Sequence, residues 1–289
     1  MRVLVTGSSG FVGRHLCRHL LGLGHAVIGF DRVPFNLRSD AFIFVEGNLG
    51  NASGLEAVPW SGIDAVFHLG AAGVKAGARD WPVCVRVNIE GTLNLLRCLS
   101  GVPAAALVYA HTFYEDFVGN TPALAENPYV VTKHAATRLV EDFATRHPAA
   151  VVTAKLFQVY GPGDSPTNLI PYVARQLQAG ESALLGSGDG RRDWLHVSDV
   201  ASGLAACLAA GQPGRIQKFE IGSGELYPIR QVVELLADTM GRSRSLLHFD
   251  SDMDRGDTQI AAKAQQLPPD WRPRLTLTTG LADLAEVSA

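Results

Sequence analysis

Apolar residues in this chain fall into short runs separated by longer stretches with helical spacing. Val3-Leu4-Val5 is a β-branched run that stops at Gly7, the pattern of a buried strand. Leu16, Leu20, Leu21 and Leu23 follow at the spacing of one helix face. A second run, Ala26 to Phe30, ends in Asp31, and further strands are predicted over Phe42–Val45, Ala65–His68, Ala105–Tyr109 and Val151–Leu156. Helices are predicted between them. Regular alternation of strand and helix implies an α/β fold with a doubly wound parallel sheet, whose ligand crevice lies beyond the C-terminal strand ends.

Polar and glycine residues gather at those ends. The first strand runs into Gly7-Ser8-Ser9-Gly10-Phe11-Val12-Gly13 and then a helix. Glycines let the backbone turn tightly and approach a pyrophosphate, whose charge the helix N-terminus stabilises. Asp31, at the end of the second strand, is placed to grip the adenosine ribose hydroxyls of a dinucleotide. A carboxylate there repels the extra phosphate of NADP and favours NAD. Arg32 is a group able to receive that phosphate, so NADP stays the lesser alternative. Asn48, Leu69-Gly70, Thr112 and Phe157 also fall just past predicted strand ends, which points to one shared site.

Tyr129 and Lys133 carry candidate chemistry. Residues four apart share a helix face, so the ammonium is expected beside the phenol. An adjacent cation favours phenolate, which would make Tyr129 a general acid/base towards a substrate hydroxyl. Lysine is scarce, occurring otherwise only at Lys75, Lys155, Lys218 and Lys263.

The 289 residues suit one large α/β domain, or a main domain with a smaller appendage. A net charge of −3 with dispersed signs gives no electrostatic case for nucleic acid or an anionic membrane surface. Cys17, Cys84, Cys98 and Cys207 are too widely spaced for a metal site and read as buried free thiols in a reducing compartment. No metal site is expected. No segment is long and apolar enough for a signal sequence or a bilayer span, so the expected location is cytoplasmic.

The chain resembles the extended short-chain dehydrogenase/reductases, in particular the nucleotide-sugar epimerase/dehydratase group. The resemblance runs almost end to end. It rests on the glycine turn, His68-Leu69-Gly70-Ala71-Ala72, Asn88-Ile89-Glu90-Gly91-Thr92, Tyr129-Val130-Val131-Thr132-Lys133 and Val159-Tyr160-Gly161-Pro162-Gly163. It continues through Arg192-Asp193-Trp194-Leu195-His196, Ile221-Gly222-Ser223-Gly224-Glu225 and Arg255-Gly256-Asp257. It implies a Rossmann-type NAD-binding domain over 1–156, with contributions from about 191–211. A smaller C-terminal α/β domain over 157–190 and 212–289 would bind a nucleotide-diphosphate-sugar.

It also implies a catalytic trio of Thr112, Tyr129 and Lys133, with Lys133 gripping the nicotinamide ribose. The remaining cofactor contacts would come from Gly7, Gly10, Phe11, Val12, Gly13, Asp31, Arg32, Asn48, Leu49, Leu69, Gly70, Ala71, Asn88 and Phe157. Substrate contacts would come from Gln158, Asn168, Leu169, Arg192 and Arg255, the two guanidinium groups suiting ribose and pyrophosphate. A homodimer is implied, through helices roughly over Val83–Leu99 and Tyr129–Arg146.

The chain departs from the pattern in places. Asn48 stands where an aspartate is usual and Gln158 where an asparagine is. The stretch between Thr112 and Tyr129 is several residues short. The group's 4,6-dehydratases place Asp-Glu directly after the threonine, and here those positions are Phe113 and Tyr114, which disfavours dehydration. Glu115 and Asp116 come too late in a straightforward alignment. The leading expectation is an NAD-dependent C4 epimerase working through a transient ketosugar. The alternatives are an NAD(P)H-dependent 4-ketosugar reductase and a non-catalytic dinucleotide-binding protein.

Overall fold

The computed structural model describes all residues except 75–77, 103, 119–125, 252–259 and 288–289, and omits the side chains of 285–287. The strands are β1 (Arg2–Thr6), β2 (Ala26–Asp31), β3 (Phe42–Glu46), β4 (Ala65–His68), β5 (Ala106–Thr112), β6 (Val151–Leu156), β7 (Gln158–Tyr160), β8 (Ala183–Leu185), β9 (Arg191–His196), β10 (Ile216–Ile221), β11 (Leu226–Pro228) and β12 (Leu247–Phe249). Seven of them form one parallel sheet in the order β10-β6-β5-β4-β1-β2-β3. The chain reverses direction across the sheet between β1 and β4, which opens a crevice at their C-terminal ends.

Side chains alternate between the sheet's faces, so consecutive apolar residues serve two cores. Val3 and Val5 of β1 pack with Leu16 and Leu20 of helix α1 (Phe11–Gly22). Leu4 points the other way, to a core shared by Leu95, Leu99 and Val140. All of these are at most 1% exposed, and full burial stabilises each by about 1.5–3 kcal/mol.

The second face is covered by an unbroken helical stretch in three parts, α2 (Trp81–Cys84), a π-helical turn (Val85–Glu90) and α3 (Gly91–Ser100). Helix α4 (Pro128–Ala144), started by the Asn127 side chain accepting from Tyr129 N–H, lies beside it.

The strands expected at Ala65–His68 and Val151–Leu156 have those bounds. The strand expected to end at Tyr109 runs on to Thr112, because His111 and Thr112 continue the ladder against Lys155 and Leu156. Two segments sit differently from the expected division of the chain. Ile216–Ile221 pairs along β6 and completes the main sheet. Arg191–His196 joins a three-stranded sheet with β7 and β11. That small sheet adjoins a third core, built from Val173, Leu177, Trp194, Val232 and Leu236.

Candidate active site

The turn after β1 is shaped by missing side chains. Gly7 has φ +71°, and a Cβ there would lie 2.8 Å from the Gly70 backbone. A Cβ on Gly13 would lie 2.0 Å from the Gly7 carbonyl oxygen, so α1 packs directly on the turn. Helix α1 starts at Gly10 with no capping side chain and no acidic residue in its first turn. Its N-terminal field is therefore uncompensated, which suits an anionic pyrophosphate. Asp31 braces the same turn: Oδ2 accepts from Ser9 N–H (3.0 Å) and Oδ1 from Arg32 N–H (2.7 Å). Asn48, exposed past β3, accepts from Gly50 N–H, while Leu49 is buried beside Gly70.

The loop after β4 is fixed from beneath by a buried relay. Gly70 N–H donates to Thr6 Oγ1 (3.2 Å), which lies 2.7 Å from His68 Nδ1. His68 Nε2 lies 3.0 Å from Thr92 Oγ1, whose own hydrogen goes to the Asn88 carbonyl (2.6 Å). Thr92 must then accept, which assigns the proton to His68 Nε2. Burial and the charge of Lys133 push the His68 pKa down to about 3, so the ring stays neutral. Asn88, in the π-helical turn, clamps Ala72 through both its N–H (2.7 Å) and its carbonyl (3.1 Å). Its amide also reaches Thr132 on α4 (2.9 Å). The relay thus ties Gly70, Ala71 and Ala72 to the helix that carries Tyr129 and Lys133.

Thr112 ends β5 and starts a 3-10 turn (Phe113–Phe117). Its Oγ1 accepts from Tyr114 N–H, and its own N–H donates to Glu115 Oε1, both at 3.4 Å. Tyr129 is half-buried and Lys133 4% exposed. The pair share a helix face as the spacing implies, and the ammonium is engaged by other groups. Lys133 Nζ donates to the Ala110 carbonyl (2.7 Å) and lies 4.1 Å from the centre of the Tyr109 ring. Burial and the charge of Glu115 hold the Tyr129 phenol above its usual range, against a hydrogen bond with Thr112 and the field of Arg79. Burial lowers Lys133 to about 8, opposed by Glu115.

Glu115 is the residue that sequence reasoning set aside. It is 6% exposed. Besides the Thr112 N–H it accepts from Thr137 Oγ1 (2.8 Å) on α4, and His111 Nδ1 lies 3.3 Å from it. The only hint in the sequence was its position three residues after Thr112, the spacing of a capping box.

On the far side of the crevice, Phe157 stacks on Phe113 (5.5 Å, 6° between planes). Gln158 is half-buried on β7. Asn168 precedes Leu169, which begins helix α5 (Leu169–Ala179), and donates to Asp164 (2.8 Å). Arg192 on β9 donates to the Arg191 carbonyl (2.7 Å). Arg255 lies outside the described residues. Asp193, to which no role was given, is 1% exposed and accepts from the N–H groups of Ser223 (2.7 Å), Gly224 (2.9 Å) and Ala262 (2.9 Å). It thereby joins β9 to the turn after β10. A cavity of 580 Å³ lies at the opposite end of the sheet, lined by Met1, Leu23, Asp64, Pro148 and Pro213, far from this chemistry. The four cysteines are unpaired, three buried and Cys98 half-buried.

A glycine turn, a carboxylate at the end of β2 and a Thr–Tyr–Lys set at the strand ends of a doubly wound sheet are the features of a dinucleotide-dependent oxidoreductase type of site. The comparisons make the class specific. Residues 3–222 match the model of the NAD dependent epimerase/dehydratase family, and the chain belongs to that family. It is 31% identical to an uncharacterized UDP-glucose epimerase, YtcB, of Bacillus subtilis, over 98% of this chain and 96% of that protein. It is 29% identical to a UDP-glucuronate 4-epimerase of Thermodesulfobacterium geofontis (96% and 93% covered). Among solved structures, MoeE5 in complex with UDP-glucuronic acid and NAD superposes with a TM-score of 0.83 at 29% identity, covering 100% of this chain and 99% of that one. No helix among the described residues is long and apolar enough to cross a membrane.

Proposed function

We propose that this chain inverts C4 of a nucleoside-diphosphate sugar through a transient ketosugar, using NAD. The observation that carries the reading is that Tyr129, on α4 with Lys133, reaches Thr112 at the end of β5, at the same end of the sheet as the glycine turn after β1. The UDP-sugar names of its relatives support it. When bound, NAD supplies the hydride acceptor and a positive ring beside the reacting carbon.

In this reading Gly7, Gly10, Phe11, Val12 and Gly13 hold the pyrophosphate. Asp31 with Arg32 takes the adenosine ribose, and Asn48 with Leu49 the adenine. Leu69, Gly70, Ala71, Asn88 and Phe157 wall the nicotinamide half. Thr112 donates to the sugar oxygen, Tyr129 removes and returns its proton, and Lys133 holds a ribose hydroxyl and contributes positive charge. Gln158, Asn168, Leu169, Arg192 and Arg255 would hold the nucleotide and sugar from the small-sheet side. Glu115 argues against water elimination, because its oxygens are engaged by Thr112 and Thr137 and the group faces α4.

One observation favours a second reading, a ketosugar reductase. The phenol of Tyr129 is held protonated, which is the form that donates to a ketone oxygen. The test is to denature purified protein, identify the released nucleotide, and assay UDP-glucose and UDP-glucuronate for their C4 epimers. Retained NAD with epimer formation supports the first reading. An empty site that oxidises NADPH with a ketosugar overturns it in favour of the second. The assembly we propose is a cytoplasmic homodimer through α2–α3 and α4, on whose face Val131, Ala135 and Leu139 are half-buried. Sedimentation at micromolar concentration checks it, and a monomer removes it.

A further inference from the structure

We propose that Glu115 is the internal counter-ion of Lys133 and sets the pH window in which the Tyr129–Lys133 pair works. This rests on the assignment of that pair as the acid/base couple. Glu115 touches neither reacting group and is a positioning residue.

The placement is specific. The 3-10 turn after Thr112 bends the chain back so that Glu115 enters the space between β5 and α4. Its carboxylate is held from two elements: by the Thr112 N–H and His111 of β5 and by the Thr137 hydroxyl on α4. Thr137 lies one helical turn beyond Lys133, and its hydroxyl also reaches the Lys133 carbonyl (3.0 Å). A buried carboxylate with three partners is not a solvated surface charge, and a buried ammonium without a counter-ion is costly. Glu115 is the carboxylate that acts on Lys133.

The charged and titratable groups around it are Tyr109 and His111 from β5, Tyr114 from its own turn, and Tyr129 and Lys133 from α4. His111 and Glu115 line a 260 Å³ cleft together with His134, Arg138 and Glu141 of α4. On its other side stand Lys218 and a Lys155–Asp116–Glu220 cluster, with Lys155 Nζ 2.8 Å from Asp116 and 3.4 Å from Glu220. Those charges pair among themselves: Glu141 is bridged by Arg138 and Lys218. Glu115 is left as the partner of the catalytic side. Nδ1 of His111 is buried 3.3 Å from Glu115 without a well-aligned hydrogen bond.

A negative charge here acts on both members of the pair in the same direction. It keeps Lys133 protonated to higher pH and keeps the Tyr129 phenol protonated too. Glu115→Gln keeps the shape and the acceptor for Thr137 but removes the charge. The expected result is that both limbs of the pH dependence of kcat/KM move to lower pH by about one unit, with little change at the optimum.

A second measurement does not depend on finding the sugar. The ultraviolet phenol titration of the NAD-loaded protein, with Tyr129→Phe as the subtraction control, is expected to show Tyr129 ionising at lower pH in Glu115→Gln. Thr137→Val, which keeps the charge and loses one hydrogen bond, is expected to leave both readouts near the starting protein. An unshifted phenol titration in a folded Glu115→Gln protein overturns the proposal, as does a pH profile that drops uniformly without moving. If Glu115→Gln fails to fold, Glu115→Met serves instead, removing the charge at similar length. Unchanged titration there also overturns the proposal. If Tyr129→Phe stays fully active, the functional reading fails, while the phenol titration still decides the role of Glu115.

Discussion

The turn after β1 and the turn after β5 lie at the same end of one sheet, with only β4 between them, and they are held by opposite means. The first is made of backbone and of missing side chains. Gly7 and Gly13 let α1 and the β4 loop close on it, and what it offers a ligand is peptide N–H groups, which do not titrate. The second is made of buried ionisable side chains. His111 and Thr112 of β5, Glu115 of the 3-10 turn and Tyr129 and Lys133 of α4 gather there, and their charges and hydrogen bonds shift the pKa values of Glu115, Tyr129 and Lys133. A backbone cradle gives binding that is indifferent to pH but intolerant of a methyl group. A charged cluster tolerates small changes of shape but answers to every proton.

The largest expected effect lies in the charged turn. Tyr129→Phe removes the hydroxyl that the proposed reaction uses to exchange the sugar proton, and kcat is expected to fall by about a thousandfold with KM little changed. Steady-state kinetics on the identified sugar measures this. An active Tyr129→Phe enzyme would dissolve the contrast, because the second turn would then be scaffold like the first.

The backbone turn breaks differently. In Gly13→Ala the new methyl meets the Gly7 carbonyl at 2.0 Å, and neither helix nor strand can move without disturbing the core around Leu16 and Val5. The expected cost is about 2–3 kcal/mol of stability, with co-purified NAD lost. Thermal melting and nucleotide content check this. A stable, NAD-loaded Gly13→Ala protein would show that the cradle is looser than its geometry implies.

The two turns also differ in how legible they were in the sequence. The glycine turn could be read because its determinants are local: three glycines, a strand before and a helix after. Strand positions were equally open, since runs such as Val3-Leu4-Val5 and Ala65-Val66-Phe67 are buried on both faces. The catalytic turn was read only in part. His111 breaks the apolar run and hid the last part of β5, because its environment is a polar row with Lys155 that exists only once the strands pair. Glu115 was set aside because it comes too late in a straightforward alignment. It is held by Thr137 on α4, 22 residues further along the chain, and no local pattern announces that contact. Spacing implies a shared face for Tyr129 and Lys133, but it does not announce the ammonium's partners, the Ala110 carbonyl and the Tyr109 ring. Asp193 went unread because its four acceptor contacts come from residues far along the chain.

Proton dependence should separate the turns cleanly. The Lys133 pKa is lowered from 10.5 to about 8, so its charge is lost as pH rises through about 8. If that charge is needed, kcat/KM falls about tenfold per unit above this point. Stability moves the other way. Between about 8 and 10.5 the unfolded chain holds the lysine proton that the folded chain has released, so the unfolding free energy rises with pH in that window. Activity lost while melting temperature holds or rises identifies the lysine and excludes unfolding. NAD affinity at the glycine turn is expected to stay level across the same range until the lysine contact is lost.

The smallest effect concerns the one ionised side chain in the otherwise backbone-built turn. Asp31 accepts from Ser9 and Arg32 N–H groups, so it could serve only to brace the loop or could also choose the cofactor. Asp31→Asn keeps an acceptor oxygen and removes the charge. If the carboxylate repels a 2′-phosphate, NADP affinity is expected to rise about tenfold relative to NAD, a change of ~1.4 kcal/mol that fits two charges in a partly solvated setting. The half-exposed loop and the adjacent Arg32 both keep the effect modest. Titrating nucleotide-free protein with each cofactor measures the ratio. An unchanged ratio with weaker binding of both would make Asp31 a brace. The glycine turn would then hold its ligand by backbone alone, and the contrast with the turn after β5 would be complete.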